Sequence, residues 1–151
     1  MSAGLNVDCA VGHDGSPVNR SAQVRFADDL LRPEIIPVFD RIEVDAHELE
    51  DVPVGNPGAG EARIRQTAIG VNYIETYHRS GLYPLTLPSG LGTEASGVVE
   101  AVGQGVTQLK AGDRVAYTGG APGAYSETRL FPADRLVKTP AGISDEQAAS
   151  I

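Results

Sequence analysis

The chain has no tryptophan, one methionine, one cysteine and only three phenylalanines in 151 residues. A single cysteine, Cys9, rules out an internal disulfide and any zinc site built from several thiolates. It also suits a reducing cytoplasm, the location expected here. Basic charge is scarce: 12 Lys and Arg face 20 Asp and Glu, a formal net charge of −8. With no basic stripe to neutralise phosphates, no nucleic-acid partner is expected. No apolar run approaches the about 20 residues that a membrane helix needs. The first residues lack the charged start and apolar core of a secretory signal, so no membrane partner is expected either.

What the chain has in quantity is punctuation. Its 18 glycines and 10 prolines separate short apolar runs, which favours a β-rich domain over a helical bundle. A length of 151 residues allows one domain with a sizeable core and hardly two. The charge is uneven: residues 1–60 hold 11 acids against 4 bases, and residues 61–151 hold 9 against 8. The first 20 residues have no lasting period and are expected to be poorly ordered. In residues 24–44, Asp28 to Leu31 suit a helical turn that Pro33 and Pro37 interrupt. Ile42 and Val44 alternate with Glu43 and Asp45 as in a short edge strand. His13 and His47 have no partner at metal-ligand spacing. The expected organisation is an atypical segment over 1–45, a domain over 46–143, and the start of a helix over 144–151.

From Val52 the pattern firms, with Pro53, Gly55, Asn56, Pro57, Gly58 and Gly60 making a turn-dense connection. Glu61 to Ile69 alternates as a strand, with Ala62, Ile64, Gln66 and Ala68 on one face. Gly70 marks a bend or a close backbone approach. Val71 to Arg79 suits a short helix on which Tyr73 and Tyr77, four apart, share a face. Residues 82–92 hold Pro84, Pro88, Gly90 and Gly92 and read as loop. Thr93 to Gly103 alternates again as a strand. Gly103-Gln104-Gly105 has the opening of a dinucleotide fingerprint but no third glycine starting a helix, so it reads as a hairpin-type connection. Arg114–Tyr117, Tyr125–Phe131 and Arg135–Lys138 read as further strands. Ser144 followed by Gln147 is a capping-box pattern, with Asp145 and Glu146 in the first turn.

Between the strands at 61–69 and 93–103 lie Asn72, Tyr73, Tyr77 and Tyr83. Polar aromatics on a connection between rigid strands are how a scaffold presents a site. Tyrosines are nonetheless more often packed than catalytic, and from pattern alone the packing role stands ahead.

The run AIGVNYIETYHRSGLYP, followed by PSGLGTEASGVVEAVGQGV and KAGDRVAY, resembles the zinc-free quinone oxidoreductases of the medium-chain dehydrogenase/reductase superfamily. The resemblance covers about Glu48 to Ile151. It implies a mainly β fold, a GroES-like partly open β-barrel with short helices that carries the substrate side of the site. A Rossmann domain binding NADPH would follow the helix at Ser144, so the chain is expected to be the first half alone, and inactive alone. Before Glu48 the family's opening strand and hairpin find no match. Three readings of the leader stand open: Pro37–Val44 replaces the missing strand, the leader is a misread start, or it is fused.

The resemblance also implies chemistry. Zinc-dependent alcohol dehydrogenases of the superfamily have Cys where Asn72 stands and Gly-His-Glu where Gly92-Thr93-Glu94 stands. Asparagine and threonine are poor zinc ligands, so no metal is expected, and Glu94 is assigned a structural role. Residue for residue, Asn72, Tyr73, Ile74, Glu75, Thr76 and Tyr77 would line the NADPH cofactor. Asn72 would lie at the nicotinamide end of the cleft and Tyr77 and Tyr83 would border a small-molecule quinone, the three making the catalytic set, with packing of Tyr83 against the Pro84 loop as the open alternative; the full-length protein is expected to be a homodimer. Hydride transfer develops charge on a carbonyl oxygen, which neutral N–H and O–H donors can stabilise without a metal. His78 is assigned to the surface. Two alternatives remain: an enone or alkenal reductase domain, and a non-catalytic GroES-like module.

Overall fold

The structure, a computed structural model, describes residues 20–26, 47–86 and 88–150. Among them, eight strands and two short helices are arranged in two antiparallel sheets. Strands β1 (Arg20–Phe26), β2 (His47–Pro53) and β4 (Ser89–Gly90) form a three-stranded sheet of order β2-β1-β4. Strands β3 (Glu61–Ile69), β5 (Glu94–Val102), β6 (Arg114–Thr118), β7 (Thr128–Pro132) and β8 (Val137–Lys138) form a five-stranded sheet of order β7-β3-β5-β6-β8.

Strand β3 is the axis of the larger sheet, and its period-2 pattern explains why. Ala62 and Ile64 are fully buried, while Arg63 and Arg65 point away and pair with Glu100 of the neighbouring strand β5. Alternation of this kind fixes the register, because a one-residue slip would turn Ile64 outward. The core gathers Ile64, Val99, Val115, Tyr117, Phe131 and Leu136. Burying a side chain such as Ile64 or Phe131 contributes about 1.5–3 kcal/mol.

Five strands differ from the sequence reading: β4 lies inside the stretch 82–92 expected as loop, β2 falls where no strand is expected, and β1, β7 and β8 depart as follows. Strand β1 falls in the stretch that was given no strand, and it pairs with β2 over its full length, Arg20 opposite Pro53 through Phe26 opposite His47. The strand expected from Tyr125 starts only at Thr128. The Tyr125 N–H bonds the Leu91 carbonyl at 2.9 Å and the Ser126 N–H bonds that of Ala124 at 2.8 Å, so these donors are taken outside the ladder. The strand expected over Arg135–Lys138 shortens to Val137–Lys138, because Ala133–Arg135 closes a single 3-10 turn first. The leader's other assignments, the helical turn at 28–31 and the strand at 42–45, lie outside the described residues, as do Cys9 and His13.

The helix expected at Ser144 is present as α2 (Asp145–Ala148), with Ser144 and Gln147 exchanging the two bonds of a capping box. It is pinned to the sheet through its first residue. Asp145 accepts from the Thr67 hydroxyl at 2.7 Å and from the Arg114 Nε at 3.0 Å, and its carbonyl accepts from the buried Ser96 hydroxyl at 2.7 Å. The Thr67 hydrogen bond, and then the Arg114 guanidinium, hold the Asp145 carboxyl below its ordinary range.

Candidate active site

The connection between β3 and β5 opens with a close approach. Gly70 is buried, and a Cβ there would lie 2.0 Å from the Glu94 carboxylate and 2.5 Å from the Ala149 carbonyl. Only glycine lets the chain pass so near Glu94, which is itself 7% exposed. Glu94 is thus enclosed at the start of β5.

Two residues on, Asn72 takes an extended conformation and caps helix α1 (Tyr73–Arg79). Its side chain faces the Glu75 N–H, while the Glu75 carboxylate reaches back to the Asn72 N–H at 2.6 Å. In a capping box the side-chain oxygen is turned to the helix, which leaves the amide NH2 of Asn72 as the group able to donate outward.

The helix sorts its residues by face. Tyr73 is 73% exposed, Tyr77 is half-buried, and their rings meet edge to face with centroids 5.2 Å apart. Tyr83 joins the same row: its ring lies 5.3 Å from that of Tyr77, and its N–H bonds the Tyr77 carbonyl at 3.2 Å. The three tyrosines therefore form one ladder that starts beside Asn72. Ile74 and Thr76 are exposed, and the Thr76 hydroxyl donates to the Tyr73 carbonyl within the helix. Glu75 alone of the helix is buried, at 7% exposure. Its Oε1 is enclosed without a hydrogen-bond partner. His78, read as surface, is half-buried with its Nδ1 enclosed and unpartnered.

Two residues that the sequence reading passed over complete the setting. Gln66, on the core face of β3, donates to the carbonyls of Ala124 and Ser126 and to the Ser126 hydroxyl, and accepts from the buried Tyr117 hydroxyl. Burial pushes the Tyr117 phenol up, so it remains a donor. Arg129 lies over the Tyr117 and Phe131 rings, at 5.5 and 5.0 Å, and holds the Ala121 carbonyl at 3.1 Å. Together these bonds fix the loop 121–126. That loop carries Tyr125, whose ring packs on Gly92 so closely that a Cβ there would lie 2.4 Å from Tyr125 Cδ1. Burial, and then the charge of Glu75, push the Tyr125 phenol up. The signal for Gln66 was available: a glutamine on an otherwise apolar strand face must be buried with its bonds satisfied.

Among the described residues no three His, Cys, Asp or Glu side chains come together in a way that could hold a metal ion. None of their helices is long and apolar enough to cross a membrane. A groove of about 360 Å3, lined by residues such as Val52, Val54, Pro122 and Arg129, includes no residue of α1.

Comparison with known proteins places this geometry. Residues 58–141 match the alcohol dehydrogenase GroES-like domain. The quinone oxidoreductase of Pseudomonas aeruginosa is 54% identical over 105 residues, covering 69% of this chain and 32% of that protein. The 2-haloacrylate reductase of a Burkholderia species is 50% identical over 95 residues, covering 60% of this chain and 28% of that one. The crystal structure of Escherichia coli quinone oxidoreductase complexed with NADPH superposes with a TM-score of 0.72 at 41% identity, covering 85% of this chain and 36% of that one. The chain thus spans about a third of the length of the relatives it matches. It belongs to the alcohol dehydrogenase GroES-like domain family, and among its relatives are quinone oxidoreductases of the medium-chain dehydrogenase/reductase superfamily.

Proposed function

We propose that this domain is the substrate side of an NADPH-dependent reductase that passes a hydride to a quinone without zinc. The observation that carries the reading is the Tyr73–Tyr77–Tyr83 ladder beginning at Asn72, which puts apolar ring faces and neutral donors on one surface. A quinone is flat and nearly apolar with two carbonyl acceptors, and such a wall suits it. The same surface fits the nicotinamide end of the cofactor, since the Asn72 amide offers an N–H donor beside exposed rings. NADPH, when bound chiefly by a nucleotide-binding half, would supply the hydride.

The residues of this chain then act by orientation and by charge stabilisation. Asn72 and the Tyr77 hydroxyl donate to the carbonyl oxygen on which negative charge grows. The phenolic O–H of Tyr77 acts there as a hydrogen-bond donor, and no base is required of it. Protons for the hydroquinone oxygens come from solvent. The ladder holds the acceptor plane against the reacting carbon, which reduces the orientational cost of the transfer.

The test joins this chain to the nucleotide-binding half of the Pseudomonas aeruginosa relative and follows NADPH oxidation with and without quinone. Quinone-dependent oxidation is expected; a folded, NADPH-binding fusion that ignores every quinone offered would sink the reading. A second reading is favoured by the 2-haloacrylate reductase relative: a conjugated alkene as acceptor. Faster turnover of an enone than of a quinone by the same fusion would select it.

A further inference from the structure

The groove of about 360 Å3 takes no part in the mechanism above. It lies where the two sheets meet, with Val52 of β2 from the smaller sheet and Arg129 and Leu130 of β7 from the larger one among its walls. Arg129 is the sole charged side chain among the described residues that line it; the others are valines, prolines, glycines and a leucine. The guanidinium is held in place but only partly used. It lies over the Tyr117 and Phe131 rings, and its Nη2 donates to the Ala121 carbonyl at 3.1 Å and its Nη1 to the Tyr117 hydroxyl at 3.4 Å. Among the described residues no carboxylate pairs with it, and its remaining N–H donors have no acceptor. Gly123 keeps the group uncovered: a Cβ there would lie 3.6 Å from Arg129 Cζ and Nη2 and 3.7 Å from Nη1, over the face of the guanidinium. A half-buried cation with idle donors, fixed in a groove of otherwise apolar side chains, is built to meet an anion.

We propose that this groove binds a small organic carboxylate with an apolar body, the Arg129 fork taking the carboxylate and Val52, Val54, Pro122 and Leu130 taking the body. Arginine presents N–H donors in a planar fork that matches a carboxylate or a phosphate. The rest of the groove chooses between them. One cation balances one negative charge, and a phosphate dianion would find no second cation among the lining residues, in a chain of net charge −8. Apolar walls reward an apolar body, which phosphate lacks. The volume lies towards the small end of ligand sites, which run from about 300 to 1,000 Å3, so the body is of the order of one ring or a short chain. The groove shares no residue with the Asn72–Tyr83 wall, so this site stands or falls apart from the proposed function.

The test adds benzoate, benzyl alcohol or inorganic phosphate to the isotope-labelled 151-residue chain and follows it by NMR. Benzoate is expected to shift the Arg129 Nε–H and the Gly55 and Gly123 amide resonances saturably. Benzyl alcohol, a similar ring without the charge, should bind at least about tenfold more weakly, as loss of a charge-assisted bond requires. Phosphate at the same ionic strength should leave these resonances unmoved. No saturable shift with benzoate overturns the site, and equal binding of benzyl alcohol overturns the role of Arg129. Phosphate binding as tightly as benzoate would mean an adventitious ion only. Arg129→Lys keeps the charge but loses the fork, and should weaken benzoate roughly tenfold. Should that change also unfold the chain, by removing the contacts to Tyr117 and Phe131, Gly55→Phe decides. A Cβ at Gly55 meets no atom within 4 Å, so the added ring enters open space at the groove wall and leaves Arg129 in place. Gly55→Phe should melt as the parent does and lose benzoate; unchanged benzoate binding in it overturns the site.

Discussion

At the scale of the residue, Asn72 and Tyr77 carry different parts of the proposed chemistry, and substitution separates them. Asn72 stands at the N-cap of α1, its carbonyl accepting from the Glu75 N–H at 3.2 Å and its N–H donating to the Glu75 carboxylate at 2.6 Å, with its side-chain amide facing the Glu75 N–H. Removing that amide in Asn72→Ala takes away both a cap, worth about 1 kcal/mol of helix stability, and a donor to the developing oxyanion. In the fusion, kcat should fall roughly ten- to a hundredfold while the melting temperature falls modestly; a stability loss with no rate loss would return Asn72 to a capping role alone. Tyr77→Phe keeps the ring contacts to Tyr73 and Tyr83 and loses only the hydroxyl, so the rate should fall with little change in stability. Cys9→Ala and His13→Ala should leave the rate unchanged. Indifference to all four substitutions would return the tyrosines to packing.

At the scale of the element, α2 shows how four residues can form a stable helix. So short a segment does not persist on its own. It is held by docking, with Asp145 joined to Thr67 on β3 and Arg114 on β6 while Ser96 on β5 holds its carbonyl. Asp145→Ala removes the acceptor for both side chains and should destabilise the chain by about 1–2 kcal/mol, read by denaturant unfolding. The pH dependence has a definite sign. The folded Asp145 carboxyl lies below its unfolded value, so its contribution is fully present above the unfolded pKa of about 4 and is lost as pH falls through the lower folded pKa. The gap in stability between the chain and Asp145→Ala should therefore narrow from pH 6 towards pH 2; a constant gap would assign the loss to packing.

The same scale shows where a sequence is legible. Strand β3 was read to both its ends because alternation, turn residues and Gly70 all bound it locally. The capping box of α2 was equally local. Strand β1 was missed although Ala22, Val24 and Phe26 alternate with Ser21, Gln23 and Arg25, because three alternations within a polar leader say nothing of the partner at His47–Pro53. The start of β7 was misplaced because Tyr125 and Ser126 give their N–H groups to Leu91 and Ala124, a tertiary and a local choice that periodicity does not record. At the site, the resemblance supplied the names Asn72, Tyr73, Tyr77 and Tyr83, and the structure brings these four together. That Glu75 turns inward, and that Gln66 fixes the loop opposite, depends on contacts between segments far apart in the chain.

At the scale of the whole molecule, the question is what these 151 residues can do by themselves. Binding the phosphates of a dinucleotide calls for a glycine-rich turn leading into a helix N-terminus. Gly103-Gln104-Gly105, the nearest approach in the chain, is spent on a turn: Val106 N–H bonds the Gly103 carbonyl at 3.3 Å, and the Gln104 carbonyl takes the Gly60 N–H at 2.9 Å. No helix follows it; strand β6 begins at Arg114. On the proposed reading the chain contributes a wall that orients a cofactor and an acceptor, and orientation accelerates only a reactant that is already held. The isolated chain should therefore bind NADPH too weakly to saturate and should not oxidise it with a quinone at a rate above the uncatalysed one. Joined to the nucleotide-binding half, the same residues should give quinone-dependent turnover that Asn72→Ala impairs. Turnover by the 151-residue chain alone, abolished by substitution in the ladder, would mean that this domain holds the cofactor itself and would relocate the binding site.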